Sequence, residues 1–207
     1  IIALSPVLAT GLSHHEVPVF TFLGADPAMF AGTILACDMG GGALAQQLTE
    51  NPDAAILGGV ICGSMLGATI VFTIPVGMGL IEKKDQPAFA RGILIGMGVI
   101  PVGLVIGGLM GGLSFVQTLH QNLPIFLLAV LLMLGLYKIP GRMVKGFQIF
   151  SKIIEVIITI GLILAAFTYM TQIEIVKGMA PIEEALGTVT AIGIVLLGSL
   201  PLAELIQ

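Results

Sequence analysis

The chain has 207 residues, of which 57% are hydrophobic and 10% charged, and its mean hydropathy is +1.10, whereas soluble domains carry about 25% charged residues. Eight Lys and Arg with twelve Asp and Glu cannot cover a water-exposed surface for 21.4 kDa, so the apolar side chains must face lipid. The net charge of -4 leaves no basic face for phosphates and excludes nucleic acid as a partner.

Crossing hydrocarbon takes about 20 apolar residues in a helix, because lipid leaves backbone groups no partner outside helices and closed barrels. The charge-free windows are 28 residues between Asp53 and Glu82, 46 between Arg91 and Lys138, and 18 between Glu155 and Glu174. The second window contains the polar patch Gln117 to Asn122 and therefore holds two spans. Complete helices are expected at roughly 54–81, 90–115, 123–139 and 146–170, with a truncated one at 1–12 and another starting near 182. The alternation of a barrel strand is missing. The fold class is thus an all-α polytopic membrane protein of about six transmembrane segments, first and last truncated, plus a broken or re-entrant helix. The whole of 1–207 reads as one transmembrane domain. Because the sequence opens at Ile1 inside one apolar run and closes at Gln207 inside another, it reads as an internal piece of a longer chain.

Segment 27–48 is the broken helix. Asp26-Pro27 is a start signal, a capping carboxylate followed by proline at the first helical position, and the helix is expected to run through Met39 until Gly40-Gly41-Gly42 ends it. Ala43 to Leu48 then resumes. Irregular backbone at membrane depth has to line protein or a water-filled cavity, and transporters build binding sites from such half-helices. Asp38 stands just before the break. A carboxylate in hydrocarbon costs at least about 2.5–3.5 kcal/mol and calls for a cation or a wet site, and no Lys or Arg lies near it in sequence. The candidate substrate site is therefore Asp38 with Cys37, Gly40 and Gly41, suited to a small cation such as an ammonium group or Na⁺. The competing role for Asp38 is to cap amides of the second half-helix.

Asn51-Pro52-Asp53 marks the start of the next span. Pro75 and Pro101 each free a carbonyl one turn earlier, which can kink the helix and coordinate a cation. Thr69 and Thr73 near Pro75 join the candidate site, or simply hydrogen-bond neighbouring backbone. Gly59, Gly63 and Gly67, and likewise Gly103, Gly107 and Gly111, repeat every four residues and read as close-packing stripes; a homo-oligomer is compatible with them. Asn122-Leu123-Pro124 marks another helix start. Lys152 and Glu155 read as an i,i+3 pair. Pro181 with Glu183 and Glu184 opens the last span, whose Glu204 has no assigned place.

Seven of the eight basic residues lie at or near the loops 82–91 and 138–146, and the alternate connections 48–53, 116–122 and 171–181 carry only Lys177. The positive-inside rule places the two basic loops in the cytoplasm. Cys37 and Cys62 lie in apolar stretches and read as buried small side chains. His14-His15-Glu16 reads as an interfacial loop, with no metal site. Neither a nucleophile elbow nor a His-Glu-x-x-His motif nor a phosphate-binding loop is present, so neither catalysis nor an organic cofactor is expected.

The run Leu23-Gly24-Ala25-Asp26-Pro27-Ala28-Met29-Phe30-Ala31-Gly32-Thr33, continuing into Ala36-Cys37-Asp38-Met39-Gly40-Gly41, resembles the ethanolamine permeases of bacterial ethanolamine-utilisation systems, the EutH family. The likeness continues through Ile70-Val71-Phe72-Thr73-Ile74-Pro75-Val76 and Gly146-Phe147-Gln148-Ile149-Phe150-Ser151-Lys152, and covers most of the chain. The resemblance implies a polytopic inner-membrane protein that moves ethanolamine into the cell to feed an ammonia-lyase pathway in a microcompartment. It also implies a further span before this sequence and several after it. Where the family pattern has a bulky residue after the paired glycines, this sequence has Gly42. Ethanolamine is mostly a protonated ammonium at neutral pH, which agrees with the cation preference inferred for Asp38. Transport of another small cationic or sodium-coupled solute, and a structural or sensory membrane subunit, are the rival readings.

Overall fold

A computed structural model describes residues 4–13, 17–173 and 175–179, with 181, 183, 186, 187 and 190 beyond them. The described part is helical, without a strand. Short helices α1 (Ser5–Ser13), α2 (Val17–Phe22), α3 (Ala28–Ile34) and α4 (Gly41–Leu48) precede four long ones, α5 (Pro52–Leu80), α6 (Gln86–Met110), α7 (Phe115–Lys138) and α8 (Pro140–Thr171). Among the described residues, these four are long and apolar enough to cross a membrane. The expected span from about 182, with Glu204, and the His14-His15-Glu16 loop lie outside the described residues.

Helix α5 is the centre of the packing. Of its most apolar stretch 56% is buried inside the protein, against 33% for α6, 28% for α7 and 17% for α8. Helix α6 packs on α5 and α7, and α8 closes against α5 and α7. Lipid is as apolar as leucine, so close van der Waals fit and interhelical hydrogen bonds hold such helices together. The fit is visible in the glycines: a Cβ on Gly103 would sit 2.9 Å from the Met65 methyl, and one on Gly107 would sit 3.0 Å from Ile61. Outward residues such as Ile95, Leu131 and Leu162 are exposed, as a lipid-facing surface requires.

The helix ends correct the sequence expectations in two places. Helix α7 starts at Phe115 rather than at 123, because Ser114 and Gln117 form a reciprocal capping box that satisfies the first amides better than Asn122-Leu123-Pro124 could. Pro124 therefore lies inside the helix, and the polar patch 117–122 is helical rather than a connection. The basic loops are also shorter than expected. Gln86 already begins α6, so Arg91 is on that helix, and only Ile139 separates α7 from α8, which puts Arg142 and Lys145 on the first turns of α8.

At Pro75 and Pro101, two of the prolines within the long helices, a side chain from another helix reaches the backbone. Pro75 has no N–H to give to the irregular turn before it, which includes the carbonyl of Val71. The Ser151 hydroxyl of α8 donates to that carbonyl at 3.0 Å. Asn122 Nδ2 of α7 donates to the carbonyl of Pro101 at 2.8 Å, while Asn122 Oδ1 is buried without a partner. The Lys152–Glu155 pair forms at 2.9 Å on the exposed face of α8.

Candidate functional site

Helices α3 and α4 lie side by side on α5, and the break between them is where the candidate residues gather. The first half-helix stops at Ile34, earlier than expected, and Leu35 and Ala36 are extended. Glycine freedom is not what ends it. The Leu35 backbone is pressed onto the glycine face of α5, where a Cβ on Gly67 would meet the Leu35 carbonyl carbon at 2.7 Å and one on Gly63 would meet Cys37 N at 3.0 Å. Cys37–Met39 then form a single 3₁₀ turn, and Gly40 adopts φ 98°, the left-handed conformation that restarts the chain as α4 at Gly41.

The partner face is itself irregular. Residues Ile56–Gly67 and Thr69–Thr73 of α5 bond i→i+5, as a π-helix. A π-turn holds more residues than the 3.6 of an α-turn, so a four-residue glycine spacing stays closer to one face. Contacts run in order along it: Gly58 faces Ala28 and Met29, Gly32 faces Gly63 and Cys62, and Leu35 faces Gly67. Helix α4 returns past Gly59, where an added Cβ would lie 2.6 Å from that of Ala45. Gly63 and Gly67 are 11 and 15 residues beyond Pro52 in a helix of 29 residues. The break thus lies at the depth of the middle of the long helices.

Asp38 is exposed on this turn and Cys37 half-buried, while Gly40 and Gly41 are buried. No side chain caps α4, so Asp38 does not cap the second half-helix, and no ion pair to Asp38 forms among the described residues. Cys37 and Cys62 are free thiols. The other two candidates belong elsewhere. Thr69 and Thr73 lie past Gly67 on α5, and their hydroxyls donate to their own helix, Thr69 to Met65 O at 2.6 Å and Thr73 to Ala68 O at 3.4 Å. In the turn before Pro75 the Val71 carbonyl already accepts from Ser151, which argues against it as a backbone ligand for a cation. Among the described residues no cluster of His, Cys, Asp and Glu could hold a metal ion.

Asp26 has a larger role than its capping signal indicated. Its Oδ1 accepts from Ala28 N at 2.9 Å, its Oδ2 accepts from the Thr49 hydroxyl at 2.8 Å, and its own N–H donates to Gln121 Oε1 at 2.6 Å. Only the first of these contacts is local in sequence, so the Asp26-Pro27 signal reveals it and neither of the others.

The sequence matches, over residues 1–207, the family described as ethanolamine utilisation protein, EutH. It is 51% identical over 96% of its length to a probable ethanolamine permease EutH of Listeria monocytogenes, covering 53% of that relative. It is 42% identical over 99% of its length to a probable ethanolamine permease EutH of Salmonella typhimurium, covering 56%, and 42% identical over its full length to the uncharacterized protein YxeR of Bacillus subtilis, covering 56%. The chain spans about half the length of the curated relatives it matches. No solved structure matches it. Its apolar helices and these relatives make it a multi-pass membrane protein, and by the family match and these identities the chain belongs to the EutH family.

Proposed function

We propose that the full-length protein is a permease for ethanolamine, carried as the ammonium cation into the bacterial cytoplasm across the inner membrane, and that Asp38 is the partner of that cation. The observation that carries this reading is the position of Asp38: an exposed carboxylate, without a cationic partner among the described residues, on an irregular turn at mid-depth of the helix bundle. A carboxylate at that depth calls for a charge or a water-filled space, and a protonated amine supplies the charge. The names of the relatives agree with this substrate. Cys37, Gly40 and Gly41 shape the turn that presents Asp38, while Thr69 and Thr73 stiffen the neighbouring stretch of α5. The same chemistry would accept other small amines, which competition by related amines separates.

The orientation follows from the basic residues. Lys83 and Lys84 sit in the turn between α5 and α6, and Lys138, Arg142 and Lys145 flank Ile139, so this end of the bundle is cytoplasmic.

Uptake of labelled ethanolamine is to be measured in cells expressing the full-length protein, at acidic pH and low concentration, where the neutral base leaks least through lipid. Uptake above an empty-vector control is expected, with Asp38→Asn abolishing it at unchanged membrane levels. Normal uptake by Asp38→Asn would sink the assignment of Asp38, and no uptake by the unaltered protein would sink the substrate.

A further inference from the structure

The first and last residues of segment 27–48 meet at one side chain. Asp26, just before α3, accepts from the Thr49 hydroxyl just after α4. Thr49 Oγ1 also accepts from Asn51 N at 3.1 Å, and the Asn51 side chain caps α5. The Asp26 N–H meanwhile reaches Gln121, in the second turn of α7. A segment whose ends are joined by a hydrogen bond cannot cross a bilayer. The contacts along α5 agree: α3 descends from Gly58 to Gly67, and α4 comes back past Gly59 toward Pro52.

The joined ends lie beside the start of α5 and the start of α7. The connections there, 49–51 and 111–114, carry no Lys or Arg, and Glu50 and Asp53 lie at this end. The basic turns lie at the opposite end of the same helices. The positive-inside rule therefore puts the joined ends outside the cytoplasm.

We infer that residues 27–48 form a re-entrant hairpin opening to the exterior, and that Asp26 is a positioning residue that closes its mouth and so fixes the depth of the turn bearing Asp38. The uptake part of this inference rests on the permease reading; the topology part does not. Asp26 acts through hydrogen bonds rather than charge. An asparagine keeps them, because its Oδ1 accepts from Ala28 N and its Nδ2 can donate to Thr49.

The labelling uses the full-length protein with Cys37→Ala, Cys62→Ala and every cysteine outside these 207 residues likewise replaced. Single cysteines from Phe22→Cys and Glu50→Cys are probed on intact cells with a membrane-impermeant maleimide. Both are expected to react from outside. Reaction of only one overturns the hairpin, and reaction of both only after permeabilisation overturns its exterior opening. In uptake, Asp26→Ala is expected to lose about tenfold or more, while Asp26→Asn stays within about twofold; equal losses overturn the positioning role. Should Asp26→Ala not reach the membrane, the pair Asp26→Cys with Thr49→Cys decides. A short bifunctional thiol reagent is expected to join the two and block later labelling, and failure to join them overturns the closed mouth. If the unaltered protein takes up no ethanolamine, the permease reading fails while the labelling and cross-linking still decide the hairpin.

Discussion

Gly40 is the residue on which the turn beneath Asp38 depends. It holds φ 98° between the 3₁₀ turn and α4, a conformation that costs a residue with a Cβ roughly 1–2 kcal/mol. Gly40→Ala is expected to lower thermal stability in detergent by about that amount and to reduce uptake, and Gly40→Asn, whose side chain tolerates the left-handed region, to be milder. Equal effects would show that contact, not conformation, decides the position. The glycine run announced a break, because three glycines signal themselves locally. The place where α3 ends was not legible, because Leu35 is stopped by backbone packed against residues about 30 positions away. The same limit explains Asp26, whose cap is local and whose bonds to Thr49 and Gln121 are not.

At the scale of elements, two of the stretches through which the chain resembles its family, 70–76 and 146–152, turn out to touch. Val71 and Pro75 belong to one and Ser151 to the other, and the hydroxyl of Ser151 donates to Val71 in the turn where Pro75 offers no N–H. Backbone beside a proline is thereby satisfied by a neighbouring helix, as a lipid-embedded chain requires. Ser151→Ala is expected to cost roughly 0.6–1.7 kcal/mol, the range of interhelical hydrogen bonds in membranes. In a Pro75→Ala background the turn holding Val71 regains a backbone donor, so the same change should cost less. Thermal unfolding of the four variants of this cycle measures the coupling, and equal costs would contradict the link. The glycine face of α5 makes a second element-scale prediction. A Cβ on Gly58 would lie 2.8 Å from Met29 N and closer still to Ala28 backbone, whereas one on Gly92 meets nothing within 4 Å. Gly58→Ala should cost about 1–3 kcal/mol by overpacking, and Gly92→Ala should be neutral or slightly stabilising. The stripes at 59, 63 and 67 and at 103 and 107 were readable as packing surfaces; their partners were not, since periodicity reports a face without saying what covers it.

At the scale of the whole molecule, the placing of charge along four antiparallel helices is what supports the proposed orientation. The long helices alternate in direction, so the turn 81–85 and Ile139 share one end of the bundle, and the connections 49–51 and 111–114 share the other. All the basic residues except Lys152 and Lys177 sit at or near the first end, and Lys152 is paired with Glu155 on the exposed face of α8. Because the rule depends on Lys and Arg close to span ends, the loops proved shorter than expected without changing the assignment: residues such as Arg91 and Arg142 moved from loop to helix but stayed at the same end. Single cysteines at Lys84 and Val116, both exposed, test it in a full-length background freed of every other cysteine, Cys37 and Cys62 included. Val116→Cys is expected to react with an impermeant maleimide on intact cells and Lys84→Cys only after permeabilisation. The reverse pattern would invert the bundle and move the mouth of segment 27–48 to the cytoplasmic side. The hairpin bearing Asp38 would then open toward the cell interior, against the exterior opening inferred above.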